Sequence, residues 1–427
     1  MRVCLQQLLH NVNNAAYAAK RTCYTKLDLL SCAPMQHVSE VQARPCEMKS
    51  IPLEIERVEL RTIRLPLHEP FETSFGSIDS RLIFLVSVTA QGQTGWGEVV
   101  AAEEPHYSYE TVGTAAHIIR DYLAPALMSD RVTNLTDIAS RFTSFRGHNM
   151  AKAGLELAYM DLLGRLSDQS LSQLIGGTRS SVAVGVSLGI QPSFEKLLDR
   201  VNRYLSLGYQ RIKLKIKPGW DIGIVRDVRR CHPEILLSVD ANSAYTISDA
   251  EYLKQLDDFR LLMIEQPLDH DDLIDHAKFQ SMMKTAICLD ESITGIQRTR
   301  QALDLKSCRI INIKIGRVGG YSQALAIHDA CEARKIPVWC GGMLESGIGR
   351  AHNIALASLS GFTLPGDISA SSRYFARDVI TPEVTVSPEG TVDVPTGSGI
   401  GFEVDVDYID AMTQTKERIQ PSIGRLK

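Results

Sequence analysis

Five ionisable residues recur along the second half of the chain at a nearly constant stride: Lys215, Asp240, Glu265, Asp290 and Lys314, spaced 25, 25, 25 and 24 residues apart. Asp240, Glu265 and Asp290 offer only hard oxygen ligands, with no histidine or cysteine at matching positions, and such a set selects Mg2+ or Mn2+ over Zn2+. Lys213 lies two residues before Lys215, so on a strand both side chains project to the same side. Two ammonium groups held close beside a divalent cation disfavour each other's charge, and a lowered pKa is expected for at least one of them. Lys215 is read as a neutral general base, Lys213 as its electrostatic tuner, and Lys314 as a cation arriving from the opposite side of the ring. A base, a metal and an opposing cation in that order suit proton abstraction beside a carboxylate, with the resulting enediolate stabilised by the positive charges. Blander explanations exist, since acidic residues also cap helices and a lysine pair also makes a solvated strand end. Repetition over three consecutive segments favours the metal.

The elements that must position these groups are legible around them. Each group ends a short apolar run: RIKLK (211–215), LLSVD (236–240), LLMIE (261–265), AICLD (286–290) and IINIK (310–314). A stride of about 25 residues is what a strand, a crossover helix and two short loops consume. Alternation begins at VAVGVSLGI (182–190), continues through the helix SFEKLLDRVNRYLSLG closed by Gly208, and ends with PVWCG near 337 and FTLPGD at 362–367, eight strands in all. Their continuous apolar character fits a parallel sheet covered on both faces. An open doubly wound sheet would gather ligands at one switch point. A closed barrel, whose strands all deliver side chains to one rim, better explains five successive contributions. Upstream, IERVELRTIRLPL, RLIFLVSVTA and GQTGWGEVV read as a β-meander, followed by helical periodicity at 109–127 and an apolar helix face at 151–166. The expected division is an extension at 1–50, an α+β domain at 51–180, the barrel at 181–371, and a β- and turn-rich segment at 372–427 returning to the first domain.

Composition bounds the rest. The 427 residues carry a net charge of −4 and are 44% hydrophobic, enough for two domains and without a general electrostatic attraction to nucleic acid or anionic membrane. No apolar run is long enough to span a bilayer. Nine cysteines, without CxxC pairs, point to free thiols in a reducing compartment and hence to a cytoplasmic protein. Four of them fall in the first fifty residues, an acid-poor stretch that resembles either a transit segment or an extension ahead of a start at Met48, where the first strand follows directly. The NLT at 134–136 matches a glycosylation acceptor, and Trp220, Trp339 and most histidines read as packing or surface residues.

Several segments carry a resemblance: KLKIKPGWD (213–221), VDANSAYT (239–246), IEQPL (264–268), LDESI (289–293), NIKIGRVGG (312–320), VWCGGMLESGIGRAHN (338–353) and FTLPGDISASSRYF (362–375). The chain resembles the o-succinylbenzoate synthase/N-succinylamino acid racemase family, in the muconate-lactonizing subgroup of the enolase superfamily. The likeness runs from about residue 51 to beyond 400. It implies a modified TIM barrel, (β/α)7β, with an α+β capping domain. It also implies metal ligation by Asp240, Glu265 and Asp290, acid–base roles for Lys215 and Lys314, and a pocket lined by Ser187, Asn242, Gly342, Met343 and Leu344. The cap's specificity loop would be HEPFETSFGS (68–77), with Phe71 and Phe75 as apolar contacts, unless these only pack the domain interface. The implied activity is syn dehydration of 2-succinyl-6-hydroxy-2,4-cyclohexadiene-1-carboxylate in menaquinone biosynthesis, with N-succinylamino acid racemisation as the alternative. Arg317, three residues beyond Lys314, hints at the racemase if it lowers the Lys314 pKa; a surface ion pair is the plainer reading. A dipeptide epimerase would carry Asp-x-Asp where this chain reads Asp367-Ile368-Ser369, and a non-catalytic binding protein would be expected to lose one of the five charged groups. The partners implied are a small carboxylate substrate and further copies of the chain.

Overall fold

The computed structural model of the chain describes residues 51–73 and 76–421, without the side chains of residues 73 and 76. The expectations for the extension, the start at Met48 and Phe75 lie outside the described residues. The first strands form a meander: β1 (Arg57–Thr73), β2 (Gly76–Ala90) and β3 (Gln93–Val99). Along β1 the apolar residues Val58, Leu60, Ile63 and Leu65 are buried; their alternation slips by one residue where the ladder register shifts between Thr62 and Ile63, and Glu59, Arg61 and Thr62 are buried as well. Pairing of β1 with β2 is interrupted between Pro66 and Phe71, where a proline cannot donate to the ladder, and resumes at Phe71–Ile78. The β2–β3 turn is Gln91–Gly92, both with positive φ (51° and 73°), as a two-residue hairpin turn that follows the strand twist requires.

The helix Asn149–Ser167 lies across this sheet. A Cβ on Gly95 would sit 2.2 Å from Ala158 O, and one on Gly97 2.3 Å from Gly154 O, so the helix reaches this depth only because β3 is glycine at both points. The sequence suggests one apolar face for this segment. The structure instead buries it nearly all round, because it is sandwiched between the meander and the barrel.

The barrel sheet is parallel and consecutive: β5 (Gly185–Leu188), β6 (Arg211–Lys215), β7 (Leu236–Asp240), β8 (Ile264–Glu265), β9 (Ile287–Leu289), β10 (Ile310–Ile313) and β11 (Val338–Cys340). Two strand expectations are corrected. The run 182–190 divides at Val184: β4 (Ser181–Ala183) turns away to pair antiparallel with β13 (Thr391–Asp393), and only β5 enters the barrel. The eighth run, 362–367, is not a continuous strand. It closes the ring through single bridges, Val338–Phe362 on one side and Val184–Gly366 on the other. Pro365 lies within it and has no N–H to offer a ladder. After the short pair β12 (Ile380–Thr381) and β14 (Glu403–Val404), the last strand β15 (Thr413–Ile419) lies antiparallel beside β1, with Val58 opposite Ile419.

Inside the barrel, Met263, Cys288, Ile310 and Trp339 form a small apolar plug, separate from the main core outside the sheet. The charged residues stand at the C-terminal ends of the barrel strands: Lys215, Asp240 and Glu265 end β6, β7 and β8, and Asp290 and Lys314 directly follow β9 and β10. Among the described residues the cysteines are free thiols, and no helix is long and apolar enough to cross a membrane. Asn134, in the acceptor motif, is the N-cap of the helix Leu135–Phe142, accepting from Asp137 N at 2.9 Å.

Candidate active site

Register places the five charged groups together. Lys215 lies opposite Asp240, and Asp240 opposite Glu265, so three adjacent strands carry them side by side. Asp290 and Lys314 each follow the final residue of their strands. All five are buried. Backbone with positive φ gathers at this rim in residues that seldom adopt it: Asn242 (43°), Ser243 (62°), Gln266 (37°) and Leu344 (59°), a concentration of strain usual where side chains are held for function.

On one side, Lys215 Nζ donates to Asp240 Oδ2 at 2.7 Å and to Asn242 Oδ1 at 2.5 Å. Lys213 projects the same way and reaches Glu265 Oε2 at 2.9 Å, Asp240 Oδ2 at 3.3 Å and Asp367 Oδ2 at 2.7 Å. Of the lysine pair, Lys213, read from the sequence as the electrostatic tuner, carries its charge. Burial does act to lower its pKa, but the carboxylates of Asp367, Glu265 and Asp240 outweigh burial and hold the ammonium above the ordinary lysine value. Burial pushes the Asp240 carboxyl up, yet Lys215 and Lys213 hold it below the usual carboxylate range. Beneath them Arg211, fully buried, donates to Asp367 Oδ1 at 2.5 Å, and its guanidinium and the Lys213 ammonium lie 4.9 and 4.8 Å from the Trp339 ring. Trp339 is therefore packing, as expected, but packing against two cations.

On the other side, Lys314 Nζ donates to Asp290 Oδ2 at 2.8 Å. Burial acts to lower its pKa, while Tyr107, Glu291 and Glu265 raise it, and the net shift is upward. Arg317 is neither a surface ion pair nor free to meet a substrate. It is buried behind Asp290, donating to a carboxylate oxygen of that residue, to Ile293 O at 2.8 Å and to Asn312 O at 2.6 Å. The expectation that it lowers the Lys314 pKa is likewise not met, because the carboxylates and the phenol nearby dominate.

The donor set suits a hard divalent cation. Burial and the neighbouring Asp240 charge push the Glu265 and Glu291 carboxyls upward, a crowding of like charge that a cation relieves. Two acceptor oxygens at the same place, Glu291 Oε2 and Asn312 Oδ1, are buried without any hydrogen-bond donor. With lysines holding them, Asp240, Glu265 and Asp290 do not converge tightly. Among the described residues the ligand atoms that meet within 4.8 Å of one another belong to His328, Asp329 and Glu332. That group is excluded chemically: His328 Nε2 accepts from Gly361 N at 3.0 Å, which leaves the proton on Nδ1, 2.9 Å from Asp329 Oδ1, so neither nitrogen has a free lone pair.

Of the expected pocket residues, Ser187 faces the interior with a buried hydroxyl that has no partner, and Asn242 bridges Lys215 to Glu291 Oε1, the latter at 2.8 Å. Gly342, Met343 and Leu344 are half-buried at the rim, just before the helix Gly347–Ala357. Glu98 of β3 anchors that helix, accepting from Ser346 Oγ at 2.6 Å and Ser346 N at 3.1 Å. Phe71 is half-buried near the tip of the β1–β2 hairpin, which docks on the barrel where Ile190 N meets Glu72 O at 3.2 Å. Sequence reasoning missed Tyr107, Asn312, Glu291, Arg211 and Gln266. Gln266 Oε1 accepts from Asp290 N at 3.0 Å and Ser292 N at 3.2 Å, fixing the backbone that presents Asp290. Glu291 and Gln266 adjoin the stride and could have been suspected; nothing local marks Tyr107 or Arg211.

Comparison with known proteins agrees with this geometry. Residues 56–176 match the family described as mandelate racemase/muconate lactonizing enzyme, N-terminal domain, and residues 196–408 match enolase C-terminal domain-like. The chain is 52% identical over 363 residues to an o-succinylbenzoate synthase of Geobacillus kaustophilus, covering 85% of this chain and 96% of that one. It is 45% identical over 361 residues to an N-succinylamino acid racemase of Thermus thermophilus, covering 84% and 98%. A crystal structure of an enolase-superfamily member from Listeria innocua superposes with a TM-score of 0.83 at 43% identity, covering 86% and 99%.

Proposed function

This chain belongs to the enolase superfamily, and we propose that it works as an o-succinylbenzoate synthase, dehydrating 2-succinyl-6-hydroxy-2,4-cyclohexadiene-1-carboxylate. The observation that carries the mechanism is the approach of two lysines to one buried carboxylate set from opposite ends, Lys215 at Asp240 and Lys314 at Asp290. Enzymes of this superfamily depend on a divalent metal, and a lysine base with such an ion is an arrangement already known for them. In this chain Asp240, Glu265 and Asp290 would hold Mg2+ or Mn2+, and the bound ion would supply the charge that stabilises an enediolate.

Lys215 takes the proton beside the substrate carboxylate and returns one to the departing hydroxyl on the same face. Lys213, held charged by its three carboxylates, supplies fixed positive charge next to that base. Lys314 keeps its proton and stabilises the enediolate from the far side. Ser187, Asn242 and the Gly342–Leu344 segment line the pocket, and Phe71 closes it from the cap. In this reading residues 51–180 and the returning segment after 372 form the cap, 181–371 the barrel, and the protein is a homo-oligomer.

The Thermus relative and the near-symmetry of the two lysines favour a second activity, N-succinylamino acid racemisation, in which Lys314 exchanges a proton on the opposite face. A side-by-side assay of dehydration and racemisation with Mg2+ or Mn2+ tests both. Dehydration with the higher kcat/KM supports the synthase; turnover only of N-succinylamino acids transfers the assignment to the racemase. Turnover of neither rejects the proposal.

A further inference from the structure

We propose that Tyr107, a residue of the cap, is the positioning residue for Lys314. It lies on a loop whose base is closed by the Ala102–Thr111 bridge and by Val112 N donating to Ala102 O at 2.9 Å. The Glu110 carboxylate ties the same base to the helix Asn149–Ser167, accepting from Met150 N at 2.8 Å and Ala151 N at 3.1 Å. The loop is therefore a braced arm, and Tyr107 is what it carries to the barrel rim.

There the Lys314 ammonium lies 4.5 Å from the centre of the Tyr107 ring and 3.1 Å from its hydroxyl oxygen. The hydroxyl donates to Asp290 Oδ1 at 3.2 Å and receives Arg317 Nη1 at 3.4 Å. Lys314 has four flexible carbons, and it shares the Asp290 carboxylate with Arg317. A long ammonium arm of this kind is fixed only if contacts restrict it from more than one direction. Tyr107 supplies two of them, an aromatic face and a hydroxyl, against an ammonium that is itself buried, where cation–π attraction is stronger than at the surface. Because the phenol comes from the cap, Lys314 reaches this position only when the cap is seated on the barrel.

The inference rests on Lys314 being the opposing cation of the proposed reaction, so its test separates the two ideas. Full-length wild type, Tyr107→Phe and Tyr107→Leu are compared for kcat and KM with Mg2+ present, for melting temperature, and by crystallography. The Phe variant keeps the ring and loses the hydroxyl; the Leu variant loses both. Losses in kcat of about tenfold for Phe and about a hundredfold for Leu are expected, with KM within about threefold of wild type. In crystals of the Leu variant, Lys314 is expected to leave its contact with Asp290. Wild-type kcat in either variant, or a loss confined to KM, overturns the proposal. So does a Leu structure in which Lys314 is unmoved, and that readout holds even if the wild type turns over neither substrate. Should the Leu variant fail to fold, the Phe variant carries both measurements.

Discussion

The Asp367→Asn substitution probes the deepest electrostatic element of the barrel. Asp367 receives Arg211 at 2.5 Å and Lys213 at 2.7 Å, and the three side chains are 8%, 0% and 3% exposed. Once the carboxylate is neutralised, Arg211 retains Pro365 O at 3.3 Å, Ser238 Oγ at 3.5 Å and the Trp339 ring, none of them charged. Lys213 still has Glu265 and Asp240. The cost is therefore that of one buried cation left without its counter-charge, about 3–5 kcal/mol. Gly185 makes room for the cation, since the Arg211 guanidinium passes 2.7 Å from where a Cβ on that residue would stand. Equilibrium urea unfolding at neutral pH, with chelator in every sample, measures the loss. Adding Arg211→Met to Asp367→Asn should recover part of it, giving a coupling energy above about 1.5 kcal/mol. The effect has a pH signature. Burial pushes the Asp367 carboxyl up, but Lys213 and Arg211 hold it below the carboxylate range, so its contribution is present above the unfolded value near ~3.9 and fades as pH falls below that. A neutral-pH loss under about 1 kcal/mol, or additive single and double variants, would refute the reasoning.

Other consequences are open to simpler tests. Gly341→Ala places a Cβ 2.3 Å from Asn312 Oδ1 and 2.8 Å from Lys314 Cε; it should destabilise the fold by about 1–3 kcal/mol in urea and lower kcat as well. Burial raises the Glu156 carboxyl to about 7 where it caps the helix Tyr321–Ala333 through Ser322 N and Oγ. A raised folded pKa favours the fold at acid pH and loses that advantage as pH rises through about 7. Glu156→Gln should therefore gain on wild type by about 2 kcal/mol between pH 5.5 and pH 8.5, and a pH-independent difference would exclude this. Added Mg2+ at about 100 times its Kd should stabilise the protein by about 2.7 kcal/mol in thermal melts. Asp240→Asn should abolish that response, and a retained response would remove Asp240 from the ligand set. Phe71→Ala should raise KM more than it lowers kcat; an unchanged KM would leave this ring to packing alone.

The stride of five charged groups was readable because it is a local property. One strand, one helix and two loops take a fixed length, so equal spacing puts equivalent positions on one rim, and strand alternation puts Lys213 beside Lys215. The run 182–190 was misjudged as one strand because its pattern does not change where β4 leaves the barrel for a partner some two hundred residues away. The same limit applies within the site. Tyr107 meets Lys314 across 207 residues of chain, and Arg211 meets Asp367 across 156. Nothing in the neighbourhood of either residue encodes the encounter. What holds the charge on Lys213 was hidden for a related reason: its near neighbour in sequence is a cation, but its neighbours in space are three carboxylates. Sequence by itself determined which residues reach the rim and what chemistry their types allow, since backbone geometry repeats along the chain. Only tertiary structure decided which of them touch and which charge each carries, because a pKa follows distance and burial in three dimensions.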